Sequence, residues 1–120
     1  MKVLLTFVLS LALHLALGWA WTLLAGLAGG AWAARRGWLV AAAGVATAWA
    51  ALVAYNFAVA PDATVRMVHT TGGLLGNLPG AAVVGATVLI GAALGALGGV
   101  LGQQVRFFWA ADDRRPRAAS

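Results

Sequence analysis

The sequence predicts an all-α fold: a polytopic transmembrane helical bundle of four helices, with three as the alternative, and a short extracytoplasmic amphipathic segment. Hydrophobic residues make up 62% of the 120 residues and charged ones only 9%. The charges stand at the ends of long apolar runs, so that Trp38–Ala60 and Leu78–Gly102 carry none. A bilayer-spanning helix needs about 20 such residues, each rising about 1.5 Å. A closed β-barrel, the other spanning solution, alternates apolar and polar residues along each strand. Stretches such as Ala81–Ala82–Val83–Val84–Gly85–Ala86 do not alternate.

The first apolar run, from Met1 to Ala34, holds only Lys2 and His14 as ionisable residues. As a single helix, residues 3–34 would be about 48 Å long, against a hydrocarbon core of about 30 Å. It continues well past the roughly 7–15 residues of a signal-peptide core, so retention of the segment is expected. Two signals favour a hairpin of helices at about 3–17 and 20–34. Tryptophan favours the headgroup level. A turn at Gly18–Trp19 puts Trp19 and Trp21 at one interface, with Trp32 and Trp38 bracketing the other. Charge agrees with this. Of the eight basic residues, four spans leave seven on one face (Lys2, Arg35, Arg36, Arg106, Arg114, Arg115, Arg117) and only Arg66 opposite. With three spans Lys2 moves across, and the split becomes six against two.

The third and fourth spans are expected at about 38–60 and 81–104. Pro61–Asp62 stops the third, and the loop 61–80 lies outside as an interfacial amphipathic segment, broken by Thr71–Gly72–Gly73 and Asn77–Leu78–Pro79–Gly80. The bundle then covers 1–106, and 107–120 forms a basic cytoplasmic tail. The positive-inside rule places both termini in the cytoplasm, as expected for a bacterial inner-membrane protein.

The layout resembles a family of small uncharacterised multi-pass membrane proteins of Bacteroidota-type bacteria. The resemblance rests on the corner Leu17–Gly18–Trp19–Ala20–Trp21, the loop Arg35–Arg36–Gly37 and the aromatic end Tyr55–Asn56–Phe57. The stretch Thr87–Val88–Leu89–Ile90–Gly91–Ala92–Ala93–Leu94–Gly95 completes it. It implies a four-helix layout and brings no activity with it.

In the last helix Gly91, Gly95 and Gly99 recur every four residues, with Gly98 and Gly102 offset by three, and Gly26 and Gly30 form a shorter copy. A face without side chains lets another backbone approach closely. Packing within the chain is the plain reading. Self-association, or docking onto a larger membrane complex, is the sharper one.

His14 is the one ionisable residue deep in an apolar run, which makes it a functional candidate by default. A satisfied structural histidine is the first reading. The alternative is an axial ligand to haem iron or (bacterio)chlorophyll magnesium, since Ala12 to Trp21 resembles the His-then-Trp segment of light-harvesting β-chains. Asp62, Arg66, His69 and Thr70 bring an acid, a base and a hydroxyl together, but a solvated or partner-binding loop is their default. There is no metal-ligand spacing, and no cysteine for a thiolate site.

The chain also has no glutamate, and its three aspartates lie outside the expected spans. Proton-coupled carriers need a carboxylate in the membrane, so coupled transport is disfavoured. The net charge of +5 belongs to topology and anionic headgroups, and nucleic acid is not an expected partner. The expected function is non-enzymatic, as a scaffold, accessory or assembly subunit. The alternatives are a small homo-oligomeric channel or transporter of holin-like character, and a pigment- or haem-binding subunit using His14.

Overall fold

A computed structural model describes residues 1–33 and 36–112, with the side chains of residues 111 and 112 excepted. The described residues form helices without any strand: α1 (Lys2–Leu17), α2 (Thr22–Trp32), α3 (Gly37–Val59), α4 (Pro61–Leu74) and α5 (Gly80–Asp112). A single 3-10 turn, Trp19–Trp21, joins α1 to α2. Arg35, Arg114, Arg115 and Arg117 lie outside the described residues.

The hairpin forms because Gly18 adopts φ 100° and ψ 175°, a backbone region essentially restricted to glycine. Its amide closes α1 on the His14 carbonyl, and Thr22 Oγ1 donates to the Trp19 carbonyl at 2.6 Å. The two helices run antiparallel, which returns Trp32 to Lys2: Lys2 Nζ donates to the Trp32 carbonyl at 3.1 Å. The second helix was expected from residue 20. The chain instead spends residues 19–21 tightening the corner before the α-helix begins.

Helix α3 follows a left-handed Arg36 (φ 55°) and runs parallel to α1, with Thr6 against Gly44 and His14 against Trp49. Helix α5 runs antiparallel to α3, pairing Gly91 with Trp49, Gly95 with Ala41 and Val45, and Gly99 with Trp38. It runs parallel to α2, pairing Gly26 with Gly95 and Gly98, and Gly30 with Gly99. Helices α1 and α5 lie on opposite sides of the α2–α3 pair and do not touch. Four helices therefore alternate in direction, within overall extents of 70 × 27 × 22 Å.

Glycines make this geometry possible. A Cβ at Gly98 would stand 2.5 Å from the Leu23 carbonyl oxygen, and one at Gly95 would stand 2.6 Å from that of Ala41. Gly30 and Gly102 lie closer still, against the Gly99 and Leu27 backbones. Each glycine singled out for helix packing, Gly26, Gly30, Gly91, Gly95, Gly98, Gly99 and Gly102, thus faces another helix of the same chain.

Two departures from expectation concern the ends. Thr71–Gly72–Gly73 does not break α4, which runs to Leu74 because Gly72 receives the returning chain: the Leu78 amide donates to the Gly72 carbonyl at 2.9 Å. The turn itself comes at Gly76 and Asn77, both at positive φ. The last helix does not end near residue 104 but extends to Asp112, through much of the expected tail, since no proline or glycine follows Gly102 before Pro116.

Two helices, Gly37–Val59 and the stretch Gly80–Ala110 of α5, are long and apolar enough to cross a membrane. In each, only 28% of the most apolar stretch is buried. Glycine packing yields a paired expectation. Gly95→Leu should cost at least about 1–3 kcal/mol by overpacking. Gly85→Ala, whose added methyl meets nothing within 4 Å, should stabilise by up to about 1 kcal/mol through helix propensity. Denaturant titration in mild detergent, followed by circular dichroism, compares the two.

Candidate functional site

Along α1 the polar residues are Lys2, Thr6, Ser10 and His14, spaced by four. Four residues advance a helix by about 400°, so each successive side chain is turned only about 40° from the last. The stripe faces α2 and α3, while Leu4, Val8 and Leu15 face outward. Thr6 and Ser10 are fully buried, whereas His14, farther around the spiral, is half-buried.

The members of the stripe are satisfied to different degrees. Lys2 bonds the end of α2, as above. Thr6 Oγ1 donates back to the Lys2 carbonyl at 3.0 Å, and its side chain fills the gap between Gly29 and Gly44. Ser10 Oγ and His14 Nδ1 are buried and have no hydrogen-bond partner within the protein. Across the seam, Trp49 Nε1 is in the same condition. The His14 and Trp49 rings meet edge to face, their centroids 5.7 Å apart and their planes at 78°. Trp49 fits between the helices because Gly91 has no side chain: a Cβ there would stand 2.8 Å from Trp49 Cγ. Leaving a buried donor or acceptor unpaired costs about 1–3 kcal/mol. These three atoms, on two facing helices, are the buried side-chain polar atoms without a partner among the described residues.

The sequence marked out His14, and the structure adds Trp49 as its neighbour. Thr6 and Ser10 went unnoticed, although the spacing 2, 6, 10, 14 was the signal for them. His14 Nδ1 is closed inside the α1–α3 seam. His69, the second histidine, sits on α4, beyond the far end of α3.

The polar residues of α4 do not assemble with groups from other helices. Asp62, Arg66, His69 and Thr70 are all exposed, and Thr70 Oγ1 donates to the Arg66 carbonyl at 2.9 Å. His69 borders an open cavity of about 340 Å³, otherwise lined by Phe57, Val65, Val68, Gly80, Ala81 and Val84. No second polar side chain faces the imidazole there, so the cavity has no acid–base pair. Thr64 Oγ1, by contrast, is structural, donating to the Asn56 and Ala60 carbonyls at 3.0 and 2.8 Å where α3 hands over to α4. Among the described residues no three metal-ligating side chains come together.

The described basic residues segregate by end. Lys2 lies against Trp32, Arg36 begins α3, and Arg106 lines one groove with Ala33 and Gln103. Arg66 is on α4, at the other end of the helices.

Comparison with protein-family models, with curated proteins and with solved structures finds no match to this chain. The seam offers its own check. Thr6→Val keeps the shape and loses one intrahelical bond, so it should cost no more than about 1.5 kcal/mol. Thr6→Leu overfills the gap between Gly29 and Gly44 and should cost about 1–3 kcal/mol. The order is read from the midpoints of unfolding in detergent.

Proposed function

We propose that this chain is a small multi-pass protein of the bacterial inner membrane, acting without catalysis as a scaffold, accessory or assembly subunit of a membrane complex. Helices α1, α2, α3 and α5 cross the bilayer in this reading. Helix α4 lies at the outer face, and both termini are cytoplasmic.

One observation carries the proposal: the distribution of side chains is inverted relative to a water-soluble protein. The fully buried side chains are small, with Val45 the largest, followed by Thr6, Thr22 and Ser10. No leucine, isoleucine or aromatic residue is among the buried ones in the described chain, whereas Leu15 is 69% exposed, Leu89 70% and Leu97 60%. Water would penalise such a surface by about 25 cal/mol per Å² of apolar area, while lipid imposes no such penalty. Large exposed apolar areas on soluble monomers are otherwise confined to patches.

The aromatic residues add a scale. Trp38 and Tyr55 are both exposed on α3, and the 17 residues between their positions correspond to about 26 Å of helix. Exposed Trp32 shares the Trp38 end. Leu15, just before the corner with Trp19 and Trp21, lines one groove with Tyr55. On α3 the aromatic ends thus stand about 26 Å apart, close to a hydrocarbon layer of about 30 Å, while α2 from Trp21 to Trp32 rises only about 17 Å. Lys2, Arg36 and Arg106 gather at the Trp38 belt, which supports that end as cytoplasmic.

The glycines serve packing within the chain, so a partner subunit or a second copy would meet the outward side of α5 instead. That side presents Leu89, Ile90, Leu97 and Leu101, and beyond the bundle Phe107, Phe108 and Trp109.

The absence of cysteine permits a direct test of topology. A membrane-impermeant maleimide should label Arg66→Cys on intact cells, and should label Lys2→Cys and Gln104→Cys only after permeabilisation. Labelling of Lys2→Cys from outside would replace four crossings by three. Purification in mild detergent should yield a species larger than the 12.2 kDa chain in its detergent belt, reduced by Leu97→Ala with Leu101→Ala. A monomer under every gentle condition would refute the subunit reading.

A further inference from the structure

We propose that the α1–α3 seam binds one water molecule, held jointly by Ser10 Oγ, His14 Nδ1 and Trp49 Nε1. The three atoms are buried, lie on facing helices and have no partner within the protein. Ser10 is fully buried, so its hydroxyl cannot turn to bulk solvent. It also does not donate to the carbonyl one turn earlier, as Thr6, Thr47, Thr70 and Thr87 do.

The chemistry of the three groups is complementary through water. An indole N–H only donates, a hydroxyl donates and accepts, and an imidazole nitrogen does one or the other according to tautomer. A water oxygen can accept from the Trp49 indole while its hydrogens reach Nδ1 and the hydroxyl. Ser10 and His14 are neighbours one turn apart on α1, and the edge-to-face His14–Trp49 contact brings the indole to the same level. Buried waters typically make about three hydrogen bonds to groups of this kind.

The neighbourhood is made of small residues. On α3, Gly44 meets Thr6 and Trp49 meets His14, and Ala48, one turn beyond Gly44, is fully buried. Ser10 is near the middle of α1, between its Lys2 and Leu17 ends. In a bilayer no bulk water reaches that depth, so the molecule would be a resident rather than an exchanging surface water. Its role is to join the α1–α2 hairpin to α3 by hydrogen bonds at a place where glycine contacts do not.

The probe is water itself, observed by NMR on the full chain labelled with 15N in lipid nanodiscs. The Trp49 indole signal is identified by its loss in Trp49→Phe. Should that variant misfold, it is the one indole of six that a paramagnetic headgroup lipid leaves sharp, since the other five tryptophans are exposed. The expected result is a rotating-frame cross-peak between the Trp49 indole proton and water, at least threefold weaker in Ser10→Ala. That variant should also unfold at lower denaturant while keeping its helical circular dichroism. No water cross-peak in the parent, or one unchanged in Ser10→Ala, would overturn the proposal. So would a Ser10→Ala chain that resists denaturant better than the parent, the outcome of deleting a hydroxyl that bonds nothing.

Discussion

Backbone-to-backbone approach along α5 is the constraint on which the other contacts depend. Gly26 and Gly30 on α2 meet Gly95, Gly98 and Gly99 on α5, while Gly95 and Gly99 also receive α3 at Ala41 and Trp38. One helix is thus pressed between two others by a face that has no side chains. Under the membrane reading proposed above, the hydrophobic effect would not drive these helices together; dispersion at short range would do it, and short range requires small residues. The three-helix contact of α2, α3 and α5 follows from that requirement.

A body packed this closely has room inside only for alanine, valine, serine and threonine. No leucine, isoleucine or aromatic residue is fully buried among the described residues, and many, Leu15, Leu89, Ile90 and Phe107 among them, are exposed; under the proposed membrane reading, lipid would receive them at no cost. The apolar count of the sequence and the poverty of its buried core are therefore one fact seen twice. Trp49 is the exception that fits the rule. It enters the interior only where Gly91 makes way for its ring, and its indole nitrogen arrives there without a partner.

Much of this arrangement was legible before any coordinates. The turn between α1 and α2 was read from Trp19, Trp21, Trp32 and Lys2 on the premise that aromatics and cations favour a membrane interface, and the chain does turn there. The glycine spacing in α5 announced a close contact, but spacing carries no information about whether the partner helix belongs to the same chain. The length of α5 was misjudged because a charged residue, Arg106, was read as an end, whereas a helix ends where its backbone is broken and Gln103 to Asp112 breaks nothing. Gly72–Gly73 misled in the opposite sense: glycine ends a helix when it turns, and here Gly72 stays helical to let Leu78 close in. The polar stripe escaped notice because Thr6 and Ser10 are inconspicuous in a run of leucine and alanine, and only their register with Lys2 and His14 gives them meaning.

That register separates α1 from the rest of the bundle. It does not reach α5, and its inward face meets Gly29 and Gly44 with a threonine side chain rather than with bare backbone. Its attachments are the Lys2–Trp32 bond at one end, the Gly18 corner at the other, and between them the Thr6 packing and the edge-to-face contact of His14 with Trp49. Elements with fewer close apolar contacts and more polar ones open at lower free energy than the core they cover. The molecule is accordingly a trio of α2, α3 and α5 in which α5 is held by bare backbone contacts, with α1 laid against α2 and α3 through a threonine side chain.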